Sequence, residues 1–205
     1  MKKRILIGAG IIAGLALAVW VFPLAGAQPF KEPRFEVGDK APKLSVAEWV
    51  KGEPVDIHEG LGKHVYVVEF WATWCAPCMY TIPHLTQVQK EFKNRGLICV
   101  SITREDPAKV KPFVKKMGDK MDYTIGIDKN DETSRAYMEA ANQNGIPHAF
   151  VINTQGRLIW QGHPMDPEMV KVINRYAPKT PSDDEEKSAS SQAESQDKTG
   201  AAEQS

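Results

Sequence analysis

Apolar and polar residues alternate along this chain in blocks whose period changes from two to about 3.6 and back, the pattern of strands interleaved with helices. Residues 64–70 form a near-continuous apolar run with β-branched members, as in a central strand buried on both faces. Ile82, Leu85, Val88 and Phe92 recur at helical spacing, so a helix is predicted over 76–93 and ended by Asn94-Arg95-Gly96. Pro83 inside it removes a backbone hydrogen bond and predicts a kink. Residues 97–102 are a second buried strand. Asp106-Pro107 places a cap before a proline at the first helical position, opening a helix to about 117 despite Pro112. A strand follows at 123–127, a helix at 131–141 and a strand at 149–153. Asn153-Thr154-Gln155-Gly156 is a turn, so 157–161 pairs back as a hairpin, and Asp166-Pro167 opens a last helix to about 176. Ahead of all this, residues 44–50 and 54–57 are predicted as a hairpin turning at Gly52. The alternation predicts an α/β fold, a central sheet with helices on both faces. There is no internal repeat.

The ends differ from this middle. The chain starts Met1-Lys2-Lys3-Arg4, runs apolar for 18 residues over 5–22, and continues through Pro23 to Ala25-Gly26-Ala27. A basic start, an apolar stretch and a small-residue site make 1–27 an export signal cleaved after Ala27. The run also approaches the length needed to cross a bilayer, which leaves an uncleaved anchor as the alternative. Either way the rest of the chain is expected outside the cytoplasm, in a periplasm or an equivalent space, with the basic start inside. Residues 28–36 are expected to be an extended linker and 37–177 the domain. Residues 178–205 have almost no apolar side chain, and 181–205 carry seven acids against two bases, which predicts a disordered acidic tail. The whole chain balances at 26 basic and 26 acidic residues, and 28–180 is close to neutral as well, so nucleic acid is not an expected partner.

Chemistry concentrates in Phe70-Trp71-Ala72-Thr73-Trp74-Cys75-Ala76-Pro77-Cys78, at the junction of the central strand and the first long helix. A helix N-terminus favours an anion, so Cys75 there has a lowered pKa and a larger share of the reactive thiolate. Cys78 lies one turn on, within reach of a disulfide. Ala76 and Pro77 support the turn, Pro77 by pre-setting the first helical φ. The pair suits a disulfide that opens and closes. Half a zinc site and a static structural disulfide are the alternatives, but no second CxxC or HxxxH supplies further zinc ligands. Cys99 lies mid-strand and reads as a small buried hydrophobe that resists alkylation.

These features resemble the thioredoxin-like fold, and within it the TlpA/ResA-like extracytoplasmic thiol–disulfide oxidoreductases of the redoxin class. The resemblance rests on Glu69 through Cys78, on Gly145-Ile146-Pro147 before a strand, on the hairpin from Asn153 to Gly162, on Pro83 and on the lead-in Val37-Gly38-Asp39-Lys40-Ala41-Pro42. It covers about 35–177 and implies a mixed central sheet flanked by helices, with an N-terminal extension. It also implies that Pro147 is cis beside the cysteines, the other reading being an ordinary trans turn. Trp74, Ile146, Pro147 and His148 would then line the substrate site, with the Ile146 backbone open to pair with a substrate strand, while Trp71 joins the core. The implied reaction is attack of Cys75 on a client protein disulfide and resolution by Cys78, with no cofactor beyond that pair and no metal. Electrons would come from a membrane donor of the DsbD or CcdA type. Apocytochrome c cysteines are among the implied clients. The same architecture can instead donate disulfides, or hold Cu(I) on Cys75, Cys78 and His148. A peroxidase reading is weaker, because the Thr/Cys spacing does not resemble the peroxiredoxin site.

The chain departs from that family at three places. Many members carry a glutamate three residues after the second cysteine, where this chain has Thr81. Glu69, six residues before Cys75, is expected to supply the missing acid/base group, with a pKa raised by burial. A strand-end carboxylate paired with Lys63 or another cation is the alternative. His148 stands where a threonine is more usual, and is read either as a cation stabilising the Cys75 thiolate or as a surface residue of the groove. Met79 replaces a basic residue beside Cys78.

Overall fold

A strand buried on both faces must lie mid-sheet, and the computed structural model, which describes residues 34–179, puts the apolar run around Val67 there. The elements are β1 (Val46–Lys51), β2 (Val65–Phe70), α1 (Cys78–Phe92), β3 (Leu97–Thr103), α2 (Pro107–Met117), β4 (Thr124–Asp128), α3 (Glu132–Ser134), β5 (His148–Ile152), β6 (Leu158–Gly162) and α4 (Pro167–Tyr176). The six strands stand in the order β1-β4-β3-β2-β5-β6. The β2–β3 and β3–β4 pairs are parallel, whereas β1–β4, β2–β5 and β5–β6 are antiparallel. This is the mixed sheet of the thioredoxin-like fold.

Period-two alternation along β2 divides the core into two layers. Val65 and Val67 face one side, packing with Ile82, Leu85, Val88 and Phe92 of α1, Val110 and Val114 of α2, and Met169 and Ile173 of α4. Tyr66, Val68 and Phe70 face the other, with Val100, Phe150, Tyr137 and Phe35. Phe150 is the hub of that second layer, its ring 5.4 Å from Tyr137, 5.6 Å from Phe35 and 5.9 Å from Phe70. The lead-in is stitched to the hairpin: Gly38 N donates to Leu158 O (2.8 Å), Leu158 N to Asp39 O (2.9 Å) and Ala41 N to Gly156 O (2.8 Å).

Caps behave as the sequence pattern requires. Asp106 accepts from Ala108 N (2.7 Å) and Asp166 from Glu168 N (2.8 Å), with Pro107 and Pro167 in the first turns. Three expectations are corrected. Residues 54–57 form no strand, and β1 pairs with β4 instead of closing a hairpin. Pro54 offers no N–H to a ladder, and Asp56 Oδ1 takes His58 N (2.7 Å) into a turn. The chain leaves the sheet at Gly52 (φ +76°), a position only glycine suits, because a Cβ there would come within 2.5 Å of Thr124. The helix expected from 76 starts at Cys78, with Pro77 as its cap. The helix expected over 131–141 is one α-turn followed by a wider π-turn at Arg135–Glu139, where Ala140 N reaches back five residues to Arg135 O (3.0 Å). Among the described residues no helix is long and apolar enough to cross a membrane. The signal or anchor over 1–27, and nearly all of the linker and acidic tail, lie outside the described residues.

Phe150→Ala should lose about 3–5 kcal/mol of unfolding free energy, the usual result of emptying an aromatic site in a packed core. Urea denaturation checks it, and a loss below about 1 kcal/mol would mean that the second layer does not rest on this ring.

Candidate active site

Between β2 and α1 the chain turns through residues 71–77. Glu105, just past β3, fixes this turn: its carboxylate accepts from both the backbone N–H and the hydroxyl of Thr73, the latter at 2.8 Å. Trp71 turns inward, buried against the Phe113 ring at 5.3 Å. Trp74 turns outward and is 74% exposed.

Cys75 and Cys78 are joined as a disulfide, their Cα atoms 5.3 Å apart. Both cysteines are buried, and they differ in backbone setting. Cys78, first residue of α1, has no exposed surface, whereas Cys75 retains 3%. The N–H of Cys78 points at Cys75 Sγ, 3.3 Å away. The same N–H also bonds the Cys75 carbonyl at 3.1 Å, so it is shared between the two acceptors, and after reduction it and the positive end of the helix dipole favour a thiolate on Cys75.

Glu69 lies in the sheet between Ser101 of β3 and Ala149 of β5, on the α1 side, with no exposed surface. Its partners are hydroxyls, not Lys63 or another cation. Ser101 Oγ donates to Oε2, and Thr81 Oγ1 lies 3.3 Å from Oε1. Thr81 Oγ1 also reaches the Cys78 carbonyl at 3.1 Å. Burial pushes the Glu69 carboxyl up to about 7, and the bonds from Ser101 and Thr81 only partly offset it. The Cys99 thiol and the Tyr123 hydroxyl face the same buried group, and both are raised, chiefly by burial and further by the Glu69 charge. The Tyr123 hydroxyl is buried with no hydrogen-bond partner.

Just before β5 the Ile146–Pro147 bond is cis. Pro147 is buried and Ile146 half-buried. His148 opens β5 opposite Phe70, its ring 5.0 Å from Phe150 and its Nε2 3.3 Å from Gln161 Oε1. Burial lowers its pKa, against the Gln161 hydrogen bond, and His163 lowers it further, so the ring is neutral at neutral pH. A cavity of about 260 Å³ lies beside the active-site turn, floored by Phe70, Ile102 and Met138 and rimmed by Trp74, Glu105 and Ile146. The structure thus puts Cys75, Cys78, Glu69 and Thr81 in one cluster and sets Trp74 and Ile146 on one cavity beside it. Among the described residues no group of three or more His, Cys, Asp or Glu side chains is placed to hold a metal ion.

Sequence reasoning missed Glu105, Ser101 and Tyr123. Ser101 carried a signal, as a hydroxyl inside an otherwise apolar buried run. Glu105 carried none, since its role depends on where the loop after β3 lands.

A CxxC disulfide at the strand–helix junction of a thioredoxin-like sheet, together with a cis-proline just before β5, is the arrangement of the thiol–disulfide oxidoreductase class. The chain belongs to the AhpC/TSA family, whose model matches residues 37–161. It is 26% identical to the thiol-disulfide oxidoreductase ResA of Bacillus thuringiensis subsp. konkukian over 181 residues, covering 87% of this chain and all of that one. It is 28% identical to ResA of Bacillus subtilis over 163 residues, covering 77% of this chain and 84% of that protein. Among solved structures it is similar to a thiol:disulfide interchange protein of the thioredoxin family from Chlorobium tepidum (TM-score 0.53, 28% identity, 68% of this chain and 99% of that one). The thioredoxin domain of a thiol-disulfide oxidoreductase from Bacteroides vulgatus shares the fold (TM-score 0.59, 19% identity, 70% and 99%). The protein is a thiol–disulfide oxidoreductase acting on disulfide-bearing client proteins.

Because burial raises the Glu69 pKa from 4.5 to about 7, the folded state binds an extra proton between those values. Stability is therefore greatest below this window and falls as pH rises through it. Between pH 4.5 and pH 8.5 the oxidised protein should lose on the order of 3 kcal/mol relative to Glu69→Gln. Urea denaturation of both across that range checks it. A pH-independent difference would show that Glu69 does not titrate there.

Proposed function

We propose that this protein is an extracytoplasmic protein-disulfide reductase. The observation that carries this reading is a disulfide at a helix start whose second cysteine is tied through Thr81 to a buried carboxyl held by hydroxyls. In the reduced protein the Cys75 thiolate attacks a client disulfide, forming a Cys75–client bond and releasing one client sulfur as thiolate. Cys78 then attacks Cys75 Sγ and gives its proton to Glu69. The Cys75–Cys78 bond closes, the second client sulfur leaves, and the client has gained two electrons. Trp74, Ile146, Pro147 and His148 form the docking face, with Ala76 and Pro77 shaping the turn between the cysteines.

The reducing direction is supported by what surrounds the pair. An oxidant needs a strongly stabilised reduced form. Here Met79 follows Cys78 where a cation would stabilise the reduced form, and burial lowers the pKa of His148, which works against a positive charge there. The apolar run over 5–22 supports export, with a DsbD- or CcdA-type membrane protein as electron donor and release or tethering as the two outcomes of processing.

Three measurements test this. The reduction potential of the Cys75–Cys78 pair should lie near about −270 mV or below, and a value near about −120 mV would make the protein a disulfide donor. Cys78→Ala should trap a Cys75–client mixed disulfide, visible on non-reducing gels, while Cys75→Ala should trap none. In stopped-flow resolution of that mixed disulfide, wild type should gain rate through an apparent pKa near that of Glu69, and Glu69→Gln should lose this step with a drop of about 10²–10⁴-fold. An unchanged profile would remove Glu69 from the reaction.

A further inference from the structure

Thr81 occupies the position where a glutamate was expected, and its hydroxyl has more to bond than it has protons. Thr81 Oγ1 lies 3.3 Å from Glu69 Oε1 and 3.1 Å from the carbonyl of Cys78, with all three residues fully buried. A hydroxyl has one proton to give and lone pairs to receive with. We propose that Thr81 is a positioning residue: its single proton is shared between the Glu69 carboxyl and the Cys78 carbonyl, which ties the protonation of Glu69 to the first turn of the helix carrying the resolving sulfur.

When Glu69 is ionised, Thr81 donates to the carboxylate, the stronger charge-assisted bond, and the Cys78 carbonyl loses that donor. When Glu69 has taken the Cys78 proton, its new O–H donates to Thr81 Oγ1 and the Thr81 proton turns to the Cys78 carbonyl. Ser101 Oγ donates to Oε2 in both states. Hydroxyls can therefore satisfy the buried carboxyl before and after proton transfer, whereas a lysine, which cannot accept, would satisfy only the charged form. The titratable groups facing Glu69 are Cys99 from β3 and Tyr123 from the segment before β4, with Cys78 reached through Thr81 on α1; β5 brings only Ala149. Neither Cys99 nor Tyr123 ionises near neutral pH, since both are raised from already high values.

This inference rests on the reductase reading only for its kinetic consequence, so the test has two independent arms in the full chain. In the first, the Glu69 carboxyl is titrated by carbon-13 NMR in wild type, Thr81→Val and Thr81→Ser. Valine removes the donor to the ionised form at nearly constant shape, so the midpoint should rise by on the order of one pH unit, a tenfold change in proton affinity. Serine keeps the hydroxyl and should restore the wild-type midpoint. In the second arm, the apparent pKa of mixed-disulfide resolution should follow the carboxyl midpoint in each variant, and Thr81→Val should add no shift in a Glu69→Gln background. A midpoint unmoved by valine, or moved equally by serine, would overturn the proposal and leave Thr81 a packing residue. A pH shift persisting in the Glu69→Gln background would overturn it too. If the rates ignore Glu69 altogether, the general-base reading falls, and the NMR titration still decides the role of Thr81.

Discussion

The structure turns on one constraint: a carboxyl group sealed in the core, joined through Thr81 to the helix residue that forms half of a disulfide. An ionised carboxylate without a cation is costly in such a place, and the protein answers by neutralising it near physiological pH and by surrounding it with hydroxyls. The strand order makes this possible. Glu69 lies on β2, flanked by β3 and β5 and covered by α1, so each neighbouring element contributes either apolar surface or a hydroxyl. Ser101 comes from β3 and Thr81 from α1. A group held this way is poised to exchange a proton at the pH where thiol–disulfide exchange runs.

The same junction sorts the two sulfurs. β2 must end and α1 must begin within a few residues, and the turn between them is held by Glu105 on Thr73. Clamped there, Trp71 goes into the core and Trp74 to the surface. Cys75 is left in the turn with the Cys78 N–H shared between its sulfur and its carbonyl, and Cys78 opens the helix, both residues being buried. The two cysteines thus differ in backbone setting, before any acidity difference is considered. Trp74 and Ile146, from opposite sides, rim one cavity beside the turn.

The replacement of an expected helix glutamate by Thr81 does not leave the site without an acid. The acid sits on the strand instead, and the helix position supplies its hydrogen bond. That the group lies on β2 was legible in the sequence, because Glu69 interrupts a run of buried apolar residues and such a charge has no cheap structural excuse. What it bonds was not legible. A pairing with Lys63 was a fair alternative from sequence distance alone, but Lys63 lies at the exposed end before β2 while Glu69 lies one residue from its other end.

Local chemistry along the chain determined most of the fold. The buried runs of β2 and β3, the 3.6-residue spacing of Ile82, Leu85, Val88 and Phe92, and the Asp-Pro starts at 106 and 166 each encode their element through neighbours close in sequence. The CxxC at the end of a buried strand determined the chemistry for the same reason, since both sulfurs and the helix terminus lie within a few residues. Tertiary structure decided whatever depends on partners far apart in the chain. It sent β1 to the β4 edge instead of into a hairpin, because a strand takes the partner that the sheet offers. It brought Glu105 onto Thr73 across 32 residues and Ser101 onto Glu69 across another 32. It turned the His148 ring against Phe150, where burial keeps it neutral. Periodicity records which face of an element is buried, and only packing decides which side chain from elsewhere meets it there.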